Sequence, residues 1–105
     1  MIYALSDRGR ALEDRYAYEQ TLVFRIAAHR ARLMGQWAAA LLGVSDPERY
    51  ASDLVGMALG GASEDELVSK LRHDFDVGAI GLPDTELKHR MHDLLAKAQC
   101  ELEAA

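Results

Sequence analysis

The feature that most constrains the fold of this chain is a long amphipathic segment near its N-terminus. Between residues 6 and 42 there is no proline, and apolar residues recur mostly three, four or seven positions apart, as on one face of an α-helix. The stripe consists of Leu12, Tyr16, Val23, Ile26, Leu33, Met34, Trp37 and Leu41. Ser6 or Asp7 is a suitable N-cap, and Gly43 stands where a left-handed C-terminal cap belongs. We therefore predict a first helix over residues 6–42.

Three shorter helices follow, and capping residues mark their ends. The predicted starts are Asp46 with Pro47, Ser63 with Glu66, and Asp84 or its neighbour, and the predicted ends of the second and third helices are Gly60-Gly61 and Gly78. The predicted inner faces are Tyr50, Leu54, Val55, Ala58 and Leu59, then Leu67, Val68, Leu71 and Phe75, then Leu87, Met91, Leu94, Leu95, Ala98 and Leu102. Short connections between four helices predict an all-α four-helix bundle with a long N-terminal helix or a projecting N-terminal arm.

The first helix is too long for the helices that would pack against it. At 1.5 Å per residue, a helix over residues 6–42 is roughly 55 Å long, and the other three are about half that length or less. They can cover only residues 22–42, so we divide the chain into an arm over residues 1–20 and a bundle over residues 21–105. The arm still carries Leu5, Leu12 and Tyr16, and an apolar stripe with nothing to cover it is a candidate for folding onto a partner. Two alternatives stay open: the arm folds back on the bundle, or it pairs with a second copy.

The residues that could carry chemistry form no recognisable site. His89 and His92 are three apart and could share a helix face, but no cysteine or carboxylate pair completes a zinc pattern. His29 and His73 stand singly, Cys100 is the only cysteine, and phosphate-binding glycine motifs are absent. We predict surface histidines, no metal, no cofactor and no enzymatic activity.

The charge distribution favours a protein partner. The net charge is −5, yet residues 1–35 contain six arginines against four acidic residues, and the remainder contains thirteen acidic against six basic residues. Because phosphate contacts need clustered basic residues, nucleic acid is a poor partner for this chain. No apolar run approaches the ~18 residues of a membrane span, and the N-terminus lacks the pattern of a secretory signal. A single cysteine fits a reducing compartment, so we expect a cytoplasmic protein with no direct membrane insertion.

Three stretches of the chain resemble one known family. They are RxRALE at residues 8–13 followed by Tyr16-Ala17, RxRLMGxWAAxLLG at residues 30–43, and MxDLLAxA at residues 91–98. These stretches are similar to the ζ (zeta) subunit family of alphaproteobacterial F-type ATP synthases, and the second is the most specific. The chain differs from the family pattern at Gly9, where an acidic residue is expected, and at Leu12 and Tyr16, where phenylalanine is usual.

The resemblance implies a function and a partner. Members of the family are small four-helix proteins that inhibit ATP hydrolysis by the catalytic head, and their N-terminal segment wedges between an alpha and a beta subunit against the central stalk. Carried over, the partner-binding residues are Leu5, Asp7, Arg8, Arg10, Leu12, Glu13, Arg15 and Tyr16. The resemblance further implies a chain that is monomeric when free and peripheral at the inner membrane through the synthase. The alternative function is a generic helical adaptor or a homodimer without an ATPase target.

Overall fold

The protein has four α-helices within the residues that the structure describes. A computed structural model describes the backbone of residues 2–104 and the side chains of residues 20–103. The helices are α1 (Ile2–Leu42), α2 (Pro47–Leu59), α3 (Glu64–Val77) and α4 (Asp84–Ala104), and no strand occurs in the described range. The predicted all-α four-helix fold is therefore confirmed.

The starts of α2 and α3 are fixed by the predicted caps. Asp46 Oδ1 accepts a hydrogen bond from the backbone N–H of Arg49 at 3.2 Å. Ser63 Oγ accepts one from the N–H of Glu66, also at 3.2 Å. Each bond satisfies a backbone donor that the first turn of a helix leaves free. Local sequence is sufficient to start both helices.

The ends of the first three helices use a left-handed residue, which allows backbone N–H groups to return to the last turn. Gly43 has φ 66° and Gly61 has φ 93°, as expected for glycine in this role. After α3 the left-handed residue is Ala79, with φ 58°, rather than the predicted terminator Gly78. Gly78 nevertheless directly follows the last helical residue, Val77, so the predicted end of α3 is correct.

The start of α1 differs from the prediction. The helix begins at Ile2, and Ser6 and Asp7 lie inside it, so the prediction that one of them is the N-cap is wrong. Both can cap a helix, but neither prevents one from passing through, and Tyr3, Ala4 and Leu5 before them extend it without a breaker. With 41 residues α1 is about 60 Å long. It accounts for the 67 Å long axis of the molecule, whose other extents are 24 and 23 Å.

The helices α2 and α3 fold back and forth along the C-terminal part of α1. Arg30 of α1 lies 3.5 Å from Glu64, which begins α3, so α2 has returned along α1 to that level. The end of α3 lies at the end of α1, because a Cβ on Gly78 would be 2.9 Å from the Leu42 side chain. These contacts make α2 antiparallel and α3 parallel to α1.

The helix α4 runs back along α1 again. Near its start the Arg90 guanidinium lies 5.5 Å from the Trp37 ring centre. Near its end Glu101 Oε2 lies 2.5 Å from His29 Nε2. The path is therefore up-down-up-down, the arrangement that short connections favour.

The core lies between the four helices and contains mostly leucine, methionine and phenylalanine. Its largest fully buried side chains are Met34, Leu54, Leu67, Leu71, Phe75, Leu87 and Met91. Trp37 packs edge-on against Phe75, with ring centres 5.7 Å apart and planes at 86°. The predicted inner faces of α3 and α4 supply five of these seven residues.

The buried face of α1 differs from the predicted stripe. Small residues dominate it: Ala31, Gly35, Ala38 and Ala39 are buried, with Met34 among them. The predicted inner residues Val23 and Leu41 are 63% and 43% exposed, as is Leu59 of α2 at 43%. The reason is close helix packing, since a Cβ on Gly35 would lie 2.5 Å from the Ala51 Cα. Where two backbones approach so closely, only small side chains fit between them.

Candidate partner-binding surface

The eight predicted partner-binding positions all lie on the N-terminal part of α1. Their side chains are outside those that the structure describes, so the prediction for them stays a prediction. The positions are Leu5, Asp7, Arg8, Arg10, Leu12, Glu13, Arg15 and Tyr16. Because the helix is continuous, the spacing of seven and four residues between Leu5, Leu12 and Tyr16 puts these positions on one face.

The bundle ends part of the way along α1. The helix α4 ends at Ala104, within about one turn of the ion pair between Glu101 and His29. The α2–α3 connection turns at the level of Arg30. Among the described side chains of α1, Leu22 is partly buried, and Val23 and Ile26 line a groove against α4. The turns of α1 that precede Val23 are continuous with this end of the bundle.

Two large apolar side chains lie exposed at this boundary. Val23 is 63% exposed and Phe24 is 56% exposed. Val23 stands seven residues after Tyr16 and so continues the face of Leu5, Leu12 and Tyr16. Phe24 stands seven residues before Ala31, which is fully buried.

The exposure of Val23 and Phe24 at this boundary was not predicted from the sequence. The apolar periodicity assigned Val23 to the core stripe and gave Phe24 no role. Helix lengths did not reveal the exposure, because they assigned residues 22–42 to the covered part of the first helix, which includes both residues. Periodicity alone could not show it, since an apolar stripe has the same pattern whether or not another helix covers it.

A shallow groove adjoins Val23 between α1 and α4. Its volume is about 250 Å³, and it is lined by Val23, Ile26, Ala27, Arg30, Leu95 and Gln99. The groove continues the face of Val23 toward the covered part of α1. Four of its six lining residues are apolar, and Arg30 and Gln99 are the polar ones.

The arginines of α1 near the boundary differ in their partners. Arg30 and Arg32 each lie 3.5 Å from a carboxylate, those of Glu64 and Glu48. Arg25 is exposed and has no acidic partner among the described side chains. The surface next to Phe24 thus presents a cation that no described carboxylate neutralises.

The ion pair between His29 and Glu101 holds the end of α4 against α1. The hydrogen bond from His29 is the main cause that lowers the pKa of Glu101 below its ordinary value. Lys97 contributes from one turn earlier, with its Nζ 3.8 Å from Glu101 Oε1. The hydrogen bond from His29 and the Lys97 ammonium thus both favour the ionised carboxylate at this end of the bundle.

Two further clefts lie on the body of the bundle. One is open and holds about 600 Å³, lined by Trp37, Leu82, Thr85, Glu86, His89, Arg90 and Asp93. His89 pairs with Asp93 at 3.4 Å there, and Arg90 stacks on Trp37 rather than pairing with Glu86. His73 and His92 are exposed, as is Cys100. Within the described residues no group of three or more histidine, cysteine or acidic side chains could hold a metal ion.

A second cleft contains a hydrogen-bonded network that joins α2 to α3. The Tyr50 hydroxyl donates to Asp74 Oδ2 at 2.6 Å, and Lys70 Nζ donates to the same oxygen at 2.7 Å. Burial would raise the pKa of Asp74, but the hydrogen bonds from Lys70 and Tyr50 outweigh it and hold that pKa below its ordinary value. Burial and the Asp74 carboxylate raise the pKa of Tyr50. The network is satisfied internally and stabilises the bundle.

None of the helices in the described range is both long and apolar enough to pass through a membrane.

Comparison with known proteins identifies a family. The model of a family described as ATPase inhibitor subunit zeta matches residues 2–101. The match begins where α1 begins and reaches the last turns of α4, so it includes the N-terminal part of α1 as well as the helices that pack against its C-terminal part. No curated protein matches the chain.

Proposed function

The chain belongs to the family of the ATPase inhibitor subunit zeta, and we propose that it inhibits ATP hydrolysis by the catalytic head of the F-type ATP synthase. The observation that carries the proposal is the family match over residues 2–101, which includes the N-terminal part of α1 and all three packing helices. A helix that extends beyond its own bundle gives the protein a segment with which to bind a partner.

In this proposal the chain has two working parts. Residues 1–20 are an inhibitory arm, and residues 21–105 are the bundle that carries it. The arm wedges between an alpha and a beta subunit against the central stalk, with Leu12 and Tyr16 as apolar anchors. The remaining contacts are apolar at Leu5 and charged at Asp7, Arg8, Arg10, Glu13 and Arg15.

The inhibition is mechanical and requires no chemistry from the inhibitor. Rotary hydrolysis requires the subunit interfaces of the head to open and close, so a helix bound at one interface stops the cycle. The 41-residue helix α1 passes without a break from arm to bundle. The bulky bundle is therefore attached to the arm through one continuous helix. The protein is thus a regulatory subunit, not a catalyst, and it is peripheral at the membrane through the synthase.

The test is a titration of the purified cognate catalytic head with the full chain, with ATP hydrolysis as the readout. We expect inhibition that increases with concentration and saturates. Hydrolysis that stays unchanged, with no binding to the head, would contradict the proposal. A mass in solution that increases with concentration would then favour the homodimer alternative.

A further inference from the structure

We propose that Val23, Phe24 and Arg25, which we name the collar, form a second contact with the catalytic head, outside the arm. The collar binds an apolar surface of the head that carries a carboxylate. This inference rests on the proposed function, because it requires that the head takes the arm.

The collar lies where two covered faces of α1 run past the end of the bundle. The face of Phe24 continues, seven residues later, at Ala31, which is fully buried. Val23 lies on the rim of the groove between α1 and α4. Both side chains meet water, with 63% of Val23 and 56% of Phe24 exposed.

The position of the collar on α1 indicates that its partner is the same protein that binds the arm. Leu5, Leu12, Tyr16 and Val23 are separated by seven, four and seven residues, which places them on one face of a continuous helix. The seven residues from Tyr16 to Val23 span about 10 Å. A protein that holds the arm as far as Tyr16 is therefore about two helical turns from Val23, and an interface that extends over this distance reaches the collar without a change in α1.

The collar differs from the other exposed apolar residues of the bundle. Val77 is 76% exposed at the last position of α3, and Leu41 and Leu59 lie near the C-terminal ends of α1 and α2. Val77 is at the level of the end of α1, because Gly78 lies against Leu42. It is therefore far from the arm, and isolated exposed apolar residues of this kind are normal on proteins.

Arg25 supplies the charge of the contact. Its neighbours on α1, Arg30 and Arg32, are paired with carboxylates of the bundle, whereas Arg25 has no acidic partner among the described residues. A cation beside two exposed apolar side chains is complementary to an apolar surface with a carboxylate nearby. Such a rim charge contributes mainly to association rate and to salt dependence.

The experiment compares the full chain with the double variant Val23→Ala/Phe24→Ala and with the control Val77→Ala. Alanine keeps helix propensity high, and all three positions are exposed, so each variant is expected to fold as the wild type does, which circular dichroism and thermal unfolding check. We expect the double variant to need about tenfold or more protein for half-maximal inhibition, as for loss of about 1.4 kcal/mol of binding free energy. The control is expected to inhibit like the wild type.

The charge is tested separately with Arg25→Glu in the full chain. We expect weaker inhibition than the wild type at low salt, with the difference shrinking as salt is raised because exposed charges are screened. Inhibition equal to the wild type at low salt would overturn the carboxylate part of the inference.

The outcomes distinguish the collar from the proposed function. If the wild type inhibits and the double variant inhibits equally well, the collar is not a contact, although the inhibitory function stands. If the wild type neither inhibits nor binds the head, both fail together. If the wild type instead self-associates and the double variant does not, the collar binds a second copy and the inference is overturned.

Discussion

At Gly35 the absence of a side chain determines how closely α1 and α2 pack. A Cβ there would lie 2.5 Å from the Cα and 3.0 Å from the Cβ of Ala51, distances at which the backbone of α2 must move. Both residues are buried. The contact fixes the position of α2 on α1 and, through the core, the position of the remaining helices.

We therefore predict that Gly35→Ala destabilises the bundle although alanine is the better helix former. Overpacking a core typically costs ~1–3 kcal/mol, against a propensity gain of ~1 kcal/mol, so we expect a net loss on the order of 1 kcal/mol in the free energy of unfolding. Urea unfolding followed by circular dichroism measures it.

The matched control is Gly56→Ala in α2. Gly56 is helical and exposed, and a Cβ there would meet nothing within 4 Å. The same chemical change should raise the free energy of unfolding by ~0.5–1 kcal/mol. Two variants that shift stability in the same direction would contradict the close approach of α1 and α2.

At the scale of secondary-structure elements, a hydrogen bond to the carboxylate of Asp74 links α2 to α3. Asp74 accepts hydrogen bonds from Tyr50 at 2.6 Å and from Lys70 at 2.7 Å. The Lys70 ammonium also lies 5.4 Å from the Tyr50 ring centre. The tyrosine thus links the two helices both by its hydroxyl and by its ring.

We predict that Tyr50→Phe lowers the free energy of unfolding by about 1 kcal/mol at neutral pH, measured by urea unfolding. The effect should shrink in acid. Because the native pKa of Asp74 is lowered, its ionised form stabilises the fold above the ordinary aspartate pKa of about 3.9. That stabilisation is lost as pH falls through the lower native value, so wild type and variant should converge once the pH is below the lowered native pKa of Asp74.

The surface pair of Arg32 and Glu48 provides the comparison. Its atoms lie 3.5 Å apart, with 42% and 73% of the side chains exposed. Arg32→Gln should change the free energy of unfolding by less than ~0.5 kcal/mol. A Tyr50→Phe variant that is no less stable than the wild type would contradict the prediction that the hydrogen bond from Tyr50 to Asp74 stabilises the fold.

The starts of the three short helices and the ends of α2 and α3 could be predicted from sequence because caps act within one turn. Asp46, Ser63 and Gly61 function as their local patterns indicate. The start of α1 could not be predicted, since Ser6 and Asp7 are compatible with both a cap and a helix interior. The buried face of α1 could not be predicted either, because it depends on how closely α2 approaches at Gly35. That distance is a property of the packed helices and not of either sequence alone.

The candidate site was only partly accessible to sequence reasoning for a similar reason. Helix lengths predicted that α1 outruns the bundle, and the family resemblance supplied the residues of the arm. The exposure of Val23 and Phe24 required knowledge of where α2 and α4 end on α1. A periodic pattern identifies a face, and only the packing shows what covers it.

At the scale of the whole molecule, one long helix and three short ones produce an elongated shape. The radius of gyration of the Cα atoms is 17.8 Å, well above the ~13 Å of a compact domain of about 100 residues. Charge is also unevenly distributed along the chain, since residues 1–35 are basic in balance and the remainder is strongly acidic. The proposed account assigns binding to the elongated end and support to the bundle.

The most direct test of this account is ATP hydrolysis by the cognate catalytic head in the presence of a chain that lacks residues 1–18. We predict that the truncated chain remains helical and unfolds cooperatively, because the described core lies entirely in later residues, yet does not inhibit where the full chain saturates. A truncated chain that is folded and inhibits as fully as the intact protein would contradict the account.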